Sequence, residues 1–228
     1  MLENKVTVII PTKNEEQTIE EVINNVKKYI NNIVVIDGHS TDKTREIVQS
    51  LNVPVILDDG KGKGSAIRKA IDMINTEILV FIDADMSHDA ADIPRLIQPI
   101  LDGKADHVSG SRMLGGSDEL YGDISKFFKE LASHTITLFI NYYFNVRLTD
   151  TQNGFRAIRT AVAKKLNLKE NSFTIEQEMI IRTLKGRFRI VEVPTHEFVR
   201  KGGKEKLKLW KTWFKYIWSL LKNLYFKK

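Results

Sequence analysis

Two carboxylates one residue apart, Asp83 and Asp85, follow directly on an uninterrupted apolar run, Ile78 to Ile82. Such a pair in a loop can hold a hard divalent cation, because Mg2+ uses one or two carboxylates together with waters and substrate phosphates. A simpler job is also open to them, since aspartate is a favoured N-cap and one of the pair could cap the next helix. Just downstream, Ser87, His88 and Asp89 add oxygen and imidazole groups. The second constellation is Gly60-Lys61-Gly62-Lys63-Gly64. It lacks the spacing and the Lys-Ser/Thr ending of a Walker A loop, yet it can place backbone N–H groups and a lysine near a phosphate; a solvated turn is the alternative. Asp37 closes another β-branched run, where a carboxylate can accept hydrogen bonds from a ribose or base, or simply form a turn. The loop Pro11-Thr12-Lys13-Asn14-Glu15-Glu16 contains no Gly-x-Gly-x-x-Gly, which argues against a dinucleotide fold and hydride transfer.

Regular elements must position these groups, and apolar periodicity predicts them. Val6 to Ile10, closed by Pro11, reads as a strand, and Glu15 to Ile30, with Ile19, Val22, Ile23 and Val26 on one face, as a helix. Ile33 to Ile36 is a second strand; Ser40-Thr41-Asp42 supplies capping residues for a helix over Lys43 to Leu51. Val53 to Leu57 is a third strand, followed by the glycine-lysine loop and a helix through Ile74, and Ile78 to Ile82 is a fourth strand. Apolar strands alternating with helices predict an α/β fold, a doubly wound, mostly parallel sheet with helices on both faces. Ligands in such sheets bind beyond the carboxyl ends of the strands, where Thr12 to Glu15, Asp37 and Asp83 to Asp85 fall. After Val108 the pattern changes: Ser109 to Gly122 is rich in glycine and polar residues, Lys126 to Phe144 reads as a helix, and Thr149 to Arg156 as a polar, turn-rich loop. Ile175 to Leu184 is again helical and Phe188 to Val193 strand-like.

The chain of 228 residues has no cysteine, so disulfides, thiolate nucleophiles and Cys-based zinc sites are excluded and any metal must be held by oxygen or imidazole. Its net charge of +6 is unevenly spread: residues 200–228 hold ten Lys/Arg against one Glu, a local +9, and residues 1–199 carry −3. That distribution gives a mildly acidic body and a basic tail, and nucleic acid is not expected as a partner. No secretory h-region is visible near Met1, and no stretch approaches the ~20 apolar residues of a membrane-spanning helix.

Four motifs in order, Ile10-Pro11-Thr12-Lys13-Asn14-Glu15, Val35-Ile36-Asp37-Gly38-His39-Ser40-Thr41-Asp42, Gly62-Lys63-Gly64 and Asp83-Ala84-Asp85, resemble an inverting family 2 glycosyltransferase of the GT-A fold. Gly110-Ser111-Arg112, Thr149 to Arg156, Glu176-Gln177-Glu178-Met179 and Glu192-Val193-Pro194 sharpen the likeness towards the dolichyl-phosphate mannose synthase group, over roughly residues 5–206. The resemblance implies a GT-A catalytic domain at 1–199, with a nucleotide-sugar half at 1–108 and an acceptor half at 109–199, followed by the segment 200–228. It implies that Pro11, Thr12, Glu15 and Asp37 surround base and ribose, that Lys63 lies close to the donor, and that Asp83 and Asp85 meet Mg2+ or Mn2+ and the diphosphate. Ser87 matches a third-ligand position that some members fill with glutamine. Arg112 and Arg200 match basic residues flanking donor and acceptor phosphates, where a guanidinium fork suits the geometry. Two departures bear on the acceptor: Lys126 lies near a position where relatives have arginine, and Asn153 replaces the usual serine.

The implied reaction is displacement at the anomeric carbon of a GDP- or UDP-linked sugar, with the metal neutralising the departing diphosphate. A polyprenyl phosphate acceptor, with a second pKa of about 6, is largely ionised near neutrality. A hydroxyl acceptor would need a carboxylate base, for which Glu176 and Glu178 are the candidates; with phosphate they would orient neighbours. From Leu207 onward, Leu207, Trp210, Phe214, Ile217, Leu221 and Leu224 share one helical face, interspersed with lysines. Over 205–226 such a helix suits an anionic membrane surface; packing on the body, an oligomer interface or a membrane subunit are the alternatives. The expectation is a cytoplasmic protein attached peripherally to the cytoplasmic face of a membrane.

Overall fold

The computed structural model describes residues 4–120, 124–201 and 209–226. Its first half follows the apolar periodicity closely. Strand β1 (Val6–Thr12) leads to helix α1 (Ile19–Lys27), β2 (Ile33–Asp37), α2 (Thr44–Ser50), β3 (Val55–Leu57), α3 (Lys63–Met73), β4 (Ile78–Phe81) and α4 (Ile93–Leu101). Helix α1 starts four residues later than expected. The amides of Thr18 and Ile19 both bond the Glu15 carbonyl, at 3.1 and 2.9 Å, so the chain makes a turn there first.

The second half adds β5 (His107–Ser111), the short α5 (Arg112–Gly115), α6 (Ile124–Phe144), β6 (Arg156–Arg159), α7 (Thr160–Lys165), α8 (Ile175–Lys185), β7 (Ile190–Pro194) and α9 (Leu209–Leu221), which runs into a π-helical turn at Lys222–Phe226. Two of these strands correct the sequence reading. The glycine- and serine-containing stretch from His107 is a fully buried strand, and the polar stretch ending at Arg156 delivers the chain into another.

All seven strands form one sheet in the order β3-β2-β1-β4-β6-β5-β7. The pairs β1–β2, β1–β4, β2–β3 and β5–β7 are parallel, whereas β6 runs antiparallel to both β4 and β5. The expected doubly wound, mostly parallel sheet is therefore present, with one reversed strand in its middle. Alternate side chains feed opposite layers. Val8, Ile10 and Val80 pack with Val22, Ile23, Val26 of α1 and Leu96, Ile97 of α4. Ile9, Leu79 and Phe81 pack on the other face with Ala66, Ile67 and Ala70 of α3 and with Ile175 and Met179 of α8. A third cluster joins Ile136 and Ile140 of α6 to Ile180 and Ile181 of α8 and to Leu220 and Leu224 near the C-terminus. Among the described residues no helix is long and apolar enough to cross a membrane.

Candidate active site

The reversed strand decides what meets what. Parallel strands β1, β2, β4 and β5 end at one edge of the sheet, and β6, running the other way, begins there. The turns after β1, β2, β4 and β5 and the turn before β6 thus converge, and with them Thr12, Asp37, Asp83, Arg112 and Asn153-Gly154.

At the centre Lys63, the first residue of α3, bridges two carboxylates. Its Nζ lies 2.6 Å from Asp83 Oδ1 and 2.8 Å from Glu176 Oε1, with the three side chains largely buried. Burial opposes the charge of Lys63, but the attraction of Asp83 and Glu176 outweighs it and raises its pKa. Burial likewise favours protonated Asp83, yet Lys63 and the neighbouring polar groups hold its carboxyl below the usual range. Gly154 closes over this pair: a Cβ there would stand 2.8 Å from Asp83 Oδ2 and 2.9 Å from Lys63 Nζ. The glycine loop itself is pinned from the other side. The Gly64 amide donates to the Asn171 carbonyl at 2.9 Å, and a Cβ on Gly64 would collide with the Glu170 carbonyl oxygen.

Asp85 sits in a tight turn with Met86 at φ 65°. Its Oδ1 accepts from the Ser87 amide at 3.1 Å and the Ser87 hydroxyl at 2.6 Å, so Ser87 spends its side chain on orienting Asp85. The segment around Arg200 runs beside this turn, its Phe198 and Lys201 amides donating to the carbonyls of Ser87 and Asp85. That brings Arg200 Nη1 to 3.7 Å from Asp85 Oδ2. His88 stacks on Phe155 at 5.1 Å, and burial lowers its pKa, leaving it neutral against Asp83.

Arg112 is held more firmly than Arg200. Its Nε and Nη2 form a fork on Asp150, at 2.6 and 3.0 Å, and Nη1 reaches Glu197 at 3.4 Å. Burial disfavours both charges of the fork, but each stabilises the other, so Arg112 is shifted up and Asp150 down. Glu192 steadies the fork from behind by accepting from the amides of Thr149 and Asp150, both at 2.7 Å. Glu197 had no signal in the sequence; it enters through bridges that pair its segment with His88 and Ser117.

Of the remaining predicted residues, Pro11, Thr12 and Asp37 occupy the neighbouring strand ends. Pro11 and Thr12 end β1; Thr12 Oγ1 is buried without a hydrogen-bond partner, and its carbonyl receives the Gly38 amide at 2.8 Å. Glu15 lies half-buried beside Thr44, whose hydroxyl accepts its amide at 2.9 Å. Asp37 is enclosed and turned onto Ser40, accepting from its amide at 2.9 Å and from its hydroxyl. Asn153 accepts from the Phe155 amide at 2.8 Å. Glu178 is placed apart from Lys63: its Oε2 receives the amides of Lys169 and Glu170, at 2.8 and 2.7 Å, and its Oε1 faces Arg182. The Lys126 side chain lies outside the described residues, as do residues 202–208 of the basic tail.

For a cation, the available set is the Asp83–Asp85 pair, since no group of three or more His, Asp or Glu converges among the described residues. Lys63 and Ser87 each occupy one oxygen of the pair. Neither Oδ2 has a hydrogen bond to another described residue, which fits a hard ion that completes its shell with substrate oxygens.

Residues 7–166 match the sequence family described as Glycosyl transferase family 2. Similar proteins include glycosyltransferase AglJ of Haloferax volcanii, 30% identical over 88% of this chain and 65% of that one. Another is dolichol-phosphate mannosyltransferase of Pyrococcus furiosus, 34% identical over 93% of this chain and 62% of the relative. The chain thus spans a little under two thirds of these two relatives' length. A UDP-N-acetylglucosamine–dolichyl-phosphate N-acetylglucosaminyltransferase of Methanococcus voltae is 28% identical over 85% of this chain and 86% of its own. Among solved structures, glucosyl-3-phosphoglycerate synthase of Mycobacterium tuberculosis with Mn2+, UDP-glucose and phosphoglyceric acid superposes with a TM-score of 0.79 at 22% identity, covering 99% of this chain and 81% of that one.

Proposed function

The chain belongs to glycosyl transferase family 2 and has the GT-A fold, and from that premise we propose that it transfers a sugar from a nucleotide diphosphate sugar to a polyprenyl phosphate by inverting displacement. The observation that supports this most is the meeting of Lys63, Asp83 and Glu176 with Asp85 and Arg200 at one sheet edge. Relatives named for transfer to dolichyl phosphate support the acceptor class.

In this reading Pro11, Thr12, Glu15 and Asp37 form the nucleoside end of the site, Asp37 from behind, enclosed and bonded to Ser40. Asp83 and Asp85 would hold Mg2+ or Mn2+, while Ser87 orients Asp85 instead of ligating. When bound, that ion supplies neutralising charge to the departing nucleoside diphosphate. Lys63 presents an ammonium to the same diphosphate, kept in place by Glu176. Arg112 and Arg200 serve the phosphates, Arg112 as a fixed guanidinium and Arg200, half exposed, as an adjustable one. Lys126 and Asn153 belong to the acceptor half, residues 109–199, by position. The carboxylates favour a phosphate nucleophile over a hydroxyl. Glu178 is committed to backbone amides and Glu176 to Lys63, so neither is disposed as a general base, and an acceptor phosphate already ionised at neutral pH needs none.

The approach to a lipid-borne phosphate is supported by helices α6 and α9. They pack side by side, with Tyr143 edge-on at 5.8 Å to Tyr225 of the π-helical turn that continues α9, and this surface exposes Leu138, Phe139, Tyr142, Phe214, Trp218 and Tyr225. Neither Leu131–Arg147 nor 209–226 contains an acidic residue. Aromatic side chains with lysines and no carboxylates suit the headgroup region of an anionic leaflet, and the cytoplasmic leaflet is the anionic one. The test is transfer from labelled UDP-N-acetylglucosamine, UDP-glucose and GDP-mannose to dolichyl phosphate with Mg2+ or Mn2+. Metal-dependent label in the lipid phase is expected; none with any of the three donors would overturn the reading.

A further inference from the structure

Arg156 is the bulkiest of the fully enclosed side chains, 1% exposed, and nothing in the reaction above uses it. It opens β6, in register with Phe81 of β4 and Ser109 of β5. Because β6 is the reversed strand, its first residue lies at the edge where β4 and β5 end, beneath the site. A buried guanidinium ordinarily faces a carboxylate, since an unpaired charge is costly to desolvate. Among the described residues Arg156 makes no ion pair. Its fork instead donates to two backbone carbonyls, Nη1 to Glu176 at 3.0 Å and Nη2 to Asn153.

Those carbonyls belong to the two segments that enclose Lys63. Glu176 touches the ammonium through its own carboxylate at 2.8 Å. Asn153 precedes Gly154, whose Cα hydrogen faces Asp83 Oδ2 and Lys63 Nζ with no room for a methyl group. We infer that Arg156 is a positioning residue of the donor site: by bridging the Asn153 and Glu176 carbonyls it fixes the gap between the 153–154 turn and the start of α8, and so the place of Lys63 against Asp83. The inference rests on the reading of this site as the one that takes the donor diphosphate.

The residue type fits that role and no simpler one. Two carbonyls on separate segments call for a planar fork with donors set apart, which a lysine's single point of charge cannot reproduce. A glutamine amide carries both its N–H groups on one nitrogen of a shorter side chain, and it brings no charge. The Arg156 charge sits where Glu176, Asp150 and Asp83 act to retain it against the burial that lowers its pKa. A fixed cation there adds positive potential beneath a site built for phosphates.

The test compares wild type with Arg156→Lys and Arg156→Gln, reading folding by circular dichroism and melting, binding of UDP and of GDP with Mn2+ by calorimetry, and transfer kinetics. For a folded variant we expect nucleotide affinity and kcat to fall about tenfold or more, the usual consequence of losing a buried, charge-assisted hydrogen bond, with the KM for dolichyl phosphate within about twofold. A folded variant that binds and turns over like wild type, or that loses donor and acceptor affinity equally, overturns the inference. If neither folds, Arg156→Ala is refolded with guanidinium ion as a surrogate side chain, and the ion is then dialysed away. Loss of nucleotide binding while the melting temperature holds supports the positioning role; loss of both together overturns it in favour of a purely structural pin. Wild type that binds neither nucleotide overturns the donor-site reading itself, a result distinct from equal binding by wild type and variant.

Discussion

Replacing Lys63 with methionine keeps most of the stem and removes the charge, so the consequence can be worked from the carboxylates it bridges. Asp83 and Glu176 contact one ammonium at 2.6 and 2.8 Å, with side chains 26% and 5% exposed. Without it, two like charges face each other across roughly 5 Å, which at an effective dielectric of ~20 costs about 3 kcal/mol. The variant should therefore be about 2–3 kcal/mol less stable at pH 7.5, a fall in melting temperature of roughly 5–10 °C for a chain of this size.

The pH dependence gives the sharper test. In wild type, Asp83 is held below its ordinary pKa. Its contribution is therefore present above the unfolded value of ~4 and lost as pH falls through the depressed native value. In the variant, repulsion raises the pKa of one carboxylate, so proton uptake relieves the cost as pH falls from 7 towards 5. The gap between the two proteins should narrow on acidification. Urea unfolding at pH 5, 6 and 7.5 measures it. A variant within 0.5 kcal/mol of wild type at every pH, or a gap that widens towards pH 5, would refute the triad as described.

Three further outcomes are expected. Asp85→Ala should reduce transfer by about a hundredfold or more while shifting the melting temperature only slightly, because its partners are the adjacent Ser87 and the half-exposed Arg200, 3.7 Å from Oδ2, so its loss removes charge stabilisation and not packing; full activity would count decisively against a metal at this pair. Gly154→Ala puts a methyl 2.8 Å from Asp83 Oδ2 and 2.9 Å from Lys63 Nζ, so nucleotide affinity should fall by about tenfold as the pair is pushed apart, measured by calorimetry with UDP and Mn2+. Serine at Phe139, Tyr142 and Trp218, all exposed, should abolish co-sedimentation with phosphatidylserine vesicles without altering the melting temperature; undiminished binding would remove the membrane from the reading.

The parts of the fold legible in the sequence are those whose side chains declare a single environment. Strands β1, β2 and β4 are dominated by apolar, mostly β-branched or aliphatic residues because helices cover both their faces, and the residues at or just past their ends, Thr12, Asp37 and Asp83, were legible with them. Strands β5 and β6 were not. His-Val-Ser-Gly-Ser and Arg-Ala-Ile-Arg look like loops by composition, yet they run through the middle of the sheet. Specific partners meet their buried polar groups in part: His107 Nδ1 meets the Thr183 hydroxyl at 2.9 Å, Ser111 the Thr149 hydroxyl at 2.6 Å, and the Arg156 Nη1 and Nη2 two carbonyls, while His107 Nε2 and Arg156 Nε are buried without a partner. Thr183, Thr149 and Glu176 lie tens of residues from the groups they meet, only Asn153 being near in the chain, and no local pattern announces the distant ones. The same holds within the site. Lys63 close to the donor and Asp83 at the diphosphate were implied by the family resemblance, whereas the assembly of Asp150, Glu192 and Glu197 around Arg112 depends on long-range register.

The basic tail shows why removing a segment and altering its surface test different things. Read from the sequence, the helix over 205–226 suits either a membrane surface or packing on the body, and only the first would let truncation after Gly203 cost no more than what the tail binds. In the structure α9 is fastened to the helix that supplies Glu176. The Gln177 side chain donates to the Tyr216 carbonyl at 3.3 Å, Lys185 to the Leu224 carbonyl at 3.0 Å, and Lys222 pairs with Glu170 at 3.2 Å. Leu220 and Leu224, 4% and 5% exposed, complete the cluster with Ile136, Ile140, Ile180 and Ile181. Each buried leucine contributes roughly 2 kcal/mol, so truncation strips several kcal/mol from α8 and loosens the Lys63 site from behind. The truncated chain should accordingly lose nucleotide affinity in solution, with no vesicle present, whereas the serine variants of the outer face retain it. Equal nucleotide binding by truncated and full chains would show that α9 does not support the Lys63 site.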